Sequence, residues 1–155
     1  MTLDQLKALT VDRFDGSLQR RNLFYKLEGL VQEFLVRKIP ADFWINGSFL
    51  TEEESPTDID VAIKVMDDVM QVLTAEQDEY LARISSDDGY IDGLDIFVFA
   101  GYWIGHPSYG TEVDDGHSRV VPTYGHQFGK GRDDWLKGIA VLAVGENHVG
   151  LHLRS

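Results

Sequence analysis

The segment Asp58-Ile-Asp-Val-Ala-Ile-Lys-Val65 constrains this chain more than any other. It is rich in β-branched residues, and polar and apolar side chains alternate strictly at its start. That pattern predicts a strand over 58–65. Side chains alternate across a strand, so Asp58 and Asp60 share one face while Ile59 and Val61 enter the core. Like charges held so close repel unless something positive lies between them. A hard divalent cation with oxygen ligands, Mg²⁺ above all, meets that need. The same alternation also suits a plain solvent-facing polar surface over an apolar one.

The surrounding pattern predicts an α/β (α+β) fold, a mixed sheet with helices packed on it. Thr2-Leu3-Asp4-Gln5 has the form of a capping box and predicts a short helix. A longer helix is expected after Ser17. Leu23, Phe24, Leu27, Leu30, Val31, Phe34 and Leu35 recur at three- and four-residue steps, and Lys38-Ile39-Pro40 ends the run. Residues 42–46 read as a short buried strand, punctuated by Gly47-Ser48, and Ser55-Pro56-Thr57 is a turn signal. Residues 66–85 read as helix in two pieces, with Thr74 capping the second. Residues 94–99 and 139–144 read as further strands. Residues 101–134, rich in Gly, His and Tyr, read as long loops or short strands. There is no internal repeat or domain boundary, so residues 1–155 are expected to form one domain.

Composition narrows the chemistry. The absence of cysteine excludes disulfides and thiolate metal sites. No apolar run approaches the roughly 20 residues of a membrane span, and Met1 to Leu9 lacks the apolar stretch of a signal peptide. A cytoplasmic location without membrane association is the expectation. A net charge of −12 argues against broad non-specific nucleic-acid binding, which needs basic residues to neutralise phosphates. An acidic, solvated surface accounts for most of that charge.

Gly47-Ser48 directly follows an apolar strand. Glycine permits close backbone approach, and serine places a hydroxyl beside exposed N–H groups, so such a turn suits the outer phosphates of a nucleotide. Asp95 near the start of a later apolar strand is costly unless partnered. If its strand neighbours 58–65 in the right register, Asp95 joins Asp58 and Asp60. Asp92, just before Gly93, competes for that role but has the setting of a turn residue. Three carboxylates around one or two metals fit in-line displacement at phosphorus.

Trp44-Ile-Asn-Gly-Ser-Phe-Leu-Thr51 followed by Pro56-Thr-Asp-Ile-Asp-Val61 resembles the nucleotidyltransferase superfamily with the DNA polymerase beta fold, and within it a small bacterial branch. Gly47, Ser48, Asp58 and Asp60 match that family's pattern directly, and Asp95 matches its third acidic position by placement. The Lys137-Gly138-Ile139 segment is similar to the branch's last strand. The resemblance implies a nucleoside triphosphate donor, Mg²⁺ or Mn²⁺ as cofactor, and metal and catalytic roles for Asp58, Asp60 and Asp95. Gly47 and Ser48 would bind phosphate. The acceptor would be a protein side chain, a small molecule or an RNA end. Phe49-Leu50-Thr51 stands where the minimal antitoxin branch usually carries an arginine. Only about 60 residues come after Asp95 and they lack helical periodicity, so the acceptor site is expected to be small or to come from a protein partner or second subunit. The alternative is a non-catalytic binding or regulatory protein on the same fold, one component of a toxin–antitoxin or phage-defence pair.

The histidines at 106, 117, 126, 148 and 152 fit no zinc spacing and read as loop or surface residues. Gly125 to Arg132 is glycine-rich and basic but lacks the Walker pattern. It reads as a solvated turn from which Lys130 and Arg132 could reach a phosphate. Trp44, Trp103 and Trp135 read as core or pocket-edge residues.

Overall fold

The computed structural model describes residues 1–87, 91–103, 105, 107 and 139–145. The expected mixed sheet with helices is what these residues form. Chain order is α1 (Leu3–Lys7), α2 (Leu18–Val36), β1 (Ala41–Asn46), β2 (Ile59–Met66), α3 (Asp67–Gln71), α4 (Ala75–Ile84), β3 (Leu94–Gly101) and β4 (Ala140–Val144). The sheet runs β3-β2-β1-β4. β1 is antiparallel to both β2 and β4, and β2 is parallel to β3. A parallel pair needs a crossover, and α3 and α4 supply it.

The helices begin where their caps put them. Thr2 Oγ1 accepts from the Gln5 N–H while the Gln5 side chain accepts from the Thr2 N–H. Thr74 and Gln77 repeat this at α4. Ser17 Oγ caps α2 by accepting from the Arg20 N–H. One π-helical turn, Ala8–Asp12, continues α1 and has no counterpart in the sequence expectations. β2 begins at Ile59, so Asp58 stands one residue outside the strand expected over 58–65.

One face of the sheet carries the main core. Phe43, Ile45, Ile59, Val61, Ile63, Leu94, Leu142 and Val144 pack with Leu23, Phe24, Leu27, Leu30, Val31 and Phe34 of α2 and Tyr80, Leu81 and Ile84 of α4. Phe34 meets Phe43 edge-on at 4.9 Å between centroids. Burying each large aliphatic or aromatic chain contributes roughly 1.5–3 kcal/mol before conformational entropy is set against it. Leu35, assigned to the same stripe by periodicity, is only partly buried at its edge.

Period two then fixes what the opposite face displays. It carries Asp42, Trp44 and Asn46 from β1, Asp60, Ala62 and Lys64 from β2, and Asp95, Phe97 and Phe99 from β3. Trp44 packs edge-on to Phe99 at 5.6 Å, and Lys64 lies over the Trp44 ring while pairing with Asp42 at 3.5 Å. No helix among the described residues is long and apolar enough to cross a membrane.

Candidate active site

Asp60 is the Cα partner of Asn46 on one side and of Asp95 on the other. Ile45, Ile59, Val61 and Leu94 all enter the core, so Asn46, Asp60 and Asp95 share the opposite face. They form a row across three adjacent strands. Neighbouring strands lie about 4.8 Å apart, which sets two carboxylates side by side. Like charges directly opposite each other destabilise a sheet.

The Gly-Ser turn is built against this row. Gly47 has φ +88° and ψ −168°, a conformation essentially confined to glycine. A methyl group placed on its Cα would collide with Asp60 Oδ2 and lie 3.2 Å from Asp60 Cγ. The backbone of the turn and the carboxylate are therefore in direct contact, and no larger residue fits between them. Ser48–Leu50 then form a single 3₁₀ turn. The Thr51 hydroxyl closes it by donating to the Ser48 carbonyl at 2.7 Å.

Arg20 anchors the chain on the far side of this turn. Its guanidinium, 0% exposed, donates to Phe49 O at 2.7 Å, Thr10 O at 2.9 Å, Thr51 O at 2.9 Å and Glu53 O at 3.1 Å. A further Nη2 contact also reaches Glu53 O. All five N–H donors of the fork thus end on backbone carbonyls. The Phe14 ring covers the guanidinium at 3.7 Å. Burial lowers the Arg20 pKa from its ordinary value, with Glu52 and Glu53 acting in the opposite direction. Ser17 adds a bond to Glu54 O at 3.2 Å. The β1–β2 connection is in this way tied to α2 through its backbone.

Asp58 is exposed one residue before β2. Asp95 is exposed on its strand beside Asp60. Asp92 lies in the tight turn between Ile91 and Leu94, closed by Leu94 N–H to Ile91 O at 2.9 Å. Gly93 at φ +88° gives that turn type II character. Lys26 holds Asp92 through its carbonyl at 2.7 Å and its carboxylate at 3.3 Å. Asp92 is thus a turn residue, as its neighbour Gly93 suggests, and the register brings Asp95 to Asp60. Among the described residues no group of three or more His, Asp or Glu side chains is close enough to hold one ion. The row supplies two carboxylates, and Asp58 lies outside it, two residues before Asp60 and just ahead of β2.

Two participants lie outside the sequence expectations. Arg20 falls at i, i+3, i+4 and i+7 with Leu23, Phe24 and Leu27. A charged residue on an apolar stripe is the signal that marks it. Asn46 is 6% exposed, and its carboxamide Oδ1 is buried without a hydrogen-bond partner. Such an atom costs roughly 1–3 kcal/mol. Its signal is a polar residue at the end of an apolar strand, in phase with the acidic face. A cleft of about 460 Å³ runs beside Thr57, lined by Gln19, Asn22, Lys26, Asp92 and Gly93. The five histidines, Lys130, Arg132, Trp135 and Lys137-Gly138 lie outside the described residues. Trp103 is exposed rather than core.

Comparison with curated proteins and with solved structures gives no match. A family model does match, over residues 1–142, and by that match the chain belongs to DUF6932, a family of unknown function.

Proposed function

We propose that this protein is a metal-dependent nucleotidyltransferase, moving a nucleoside monophosphate from a nucleoside triphosphate to an acceptor hydroxyl. One observation carries the reading. The Gly47 backbone presses on the Asp60 carboxylate, so turn and acid form one unit, and Asp95 stands in register beside them.

The donor chemistry fits a hard cation. The acidic side chains of the row offer oxygen atoms only, and two adjacent carboxylates gain most from a positive charge between them. Asp60 and Asp95, adjacent in the row, would hold Mg²⁺ or Mn²⁺ between them, with Asp58 as the further acidic residue two positions before Asp60. When bound, the ion neutralises charge on the phosphoryl oxygens. The chain's own groups do the rest. Ser48 and the backbone of its turn bind the outer phosphates. Arg20, by fixing the carbonyls of residues 49–53, keeps that turn in one orientation before substrate arrives. Asp95, open to solvent, takes the proton of the acceptor hydroxyl. The acceptor oxygen bonds to the α-phosphorus, the bond from that phosphorus to the bridging oxygen breaks, and pyrophosphate leaves.

The test is incubation of the protein with labelled nucleoside triphosphates, Mg²⁺ and cell extract, beside the Asp58→Ala/Asp60→Ala variant. Wild type is expected to transfer label to an acceptor and the double variant to transfer none. Labelling that survives the double substitution would sink the mechanism.

A further inference from the structure

We infer that Asn46 is a ligand in this site, its carboxamide Oδ1 joining Asp60 and Asp95 in binding a hard divalent cation. The inference rests on the nucleotidyl-transfer reading, since it concerns the same site, and it adds a neutral donor to the acidic ones.

Position comes first. Asn46 is the last residue of β1 and the Cα partner of Asp60, which is itself the partner of Asp95. Because Ile45 enters the core, Asn46 lies on the acidic face. Gly47 follows it immediately, and the Asp60 carboxylate lies against Gly47. The Asp60 oxygens are thereby drawn to the end of β1 where the carboxamide sits.

The state of the atom comes second. Among the described residues, Asn46 Oδ1 is the buried side-chain oxygen or nitrogen that lacks a hydrogen-bond partner. Buried acceptors in folded proteins are nearly always satisfied. Its row neighbours cannot satisfy it, because ionised carboxylates are acceptors only. A divalent cation serves all of these oxygens together, and amide carbonyls are ordinary ligands for such ions. An apolar side chain would fill the same space without the orphaned oxygen, so packing alone gives no reason for an amide. The competing arrangement has Nδ2 donating to the Asp60 carboxylate as a structural strut, with no cation at Oδ1.

The experiment is calorimetric titration of the full chain with Mn²⁺, paired with thermal unfolding in EDTA, for wild type, Asn46→Leu, Asn46→Asp and Asp60→Ala. Asn46→Leu is expected to weaken Mn²⁺ binding at least about tenfold, the lower end for lost metal-site partners. Its metal-free melting temperature should be equal to or above that of wild type. Asn46→Asp is expected to tighten Mn²⁺ binding and lower the metal-free melting temperature, because it adds a third carboxylate to the row. Wild-type affinity in Asn46→Leu, or unchanged affinity in Asn46→Asp, overturns the assignment. A clear drop in the metal-free melting temperature of Asn46→Leu also overturns it, by showing a strut. If Asp60→Ala abolishes binding while Asn46→Leu keeps it, Asn46 is wrongly assigned and the nucleotidyl-transfer site stands. If wild type itself fails to bind Mn²⁺ at millimolar concentration, both fall.

Discussion

Replacing Arg20 by methionine keeps most of the packing volume and removes every donor of the fork. Four backbone carbonyls lose their partner, at Thr10, Phe49, Thr51 and Glu53. They do not lose equally. The bonds to Thr51 and Glu53 are partly open to solvent, so water can replace the arginine there. Those to Thr10 and Phe49 are buried. An unsatisfied buried acceptor costs roughly 1–3 kcal/mol, so two of them give about 2–6, with a centre near 4 kcal/mol. Total stabilities run about 5–15 kcal/mol, so this is a large fraction. For a chain of this size 1 kcal/mol is roughly 2–4 °C, and the melting temperature should fall by about 8–16 °C. Urea unfolding followed by circular dichroism measures the loss directly, with the slope checked for constancy. Arg20→Lys should fall between, because an ammonium keeps the charge but lacks the planar fork. A methionine variant within about 1 kcal/mol of wild type, or a lysine variant equal to it, would refute the view that the fork holds the connection.

Two other contacts give checkable outcomes. Gly47→Ala should cost about 2–4 kcal/mol, from a φ of +88° and a collision with Asp60. In an Asp60→Ala background the collision part should be recovered and the strain part kept, so strictly additive costs in the double-mutant cycle would refute the contact. Tyr80 is buried between Phe34 and the Arg37 guanidinium, and that burial, helped by Glu33, raises its pKa above the ordinary tyrosine value. A raised folded-state pKa favours the protonated fold, so this contribution is complete below the unfolded pKa near 10 and is lost as pH rises through the folded value. Tyr80→Phe should flatten the alkaline limb of stability measured from about pH 9 to 11, and an unchanged limb would assign that loss to other groups.

Much of this was legible in the sequence because local chemistry decided it. The caps at Thr2, Ser17 and Thr74 act within one turn, and the α2 stripe and the β2 alternation are periodic signals that tertiary packing reinforces. The pairing of Asp60 with Asp95 was legible only as a condition. Their strands are joined by a helical crossover, so no hairpin fixes the register, and a slip of one residue would turn Asp95 into the core. The type II turn at Asp92-Gly93 sits directly before β3, and Ile59 N–H reaches Gly93 O at 2.8 Å. That long-range bond helps set the register, and it has no local signature. Arg20 was hidden for a related reason. Its partners are main-chain carbonyls, mostly some 30 residues away, and every residue type carries the same carbonyl.

The sheet order has a consequence for synthesis of the chain. β1 is made early, and β2 can pair with one of its edges soon afterwards. The other edge is taken by β4, whose first residue comes 94 positions after the end of β1, from 46 to 140. At roughly 5–20 residues per second the ribosome needs about 5–20 s to supply it. Through that interval the backbone of Ala41 to Ile45 presents an open ladder next to Phe43 and Ile45, a template for pairing with another nascent chain. A ribosome stalled before residue 140 would hold the protein in an association-prone form, with the described helices and three of the four described strands already made.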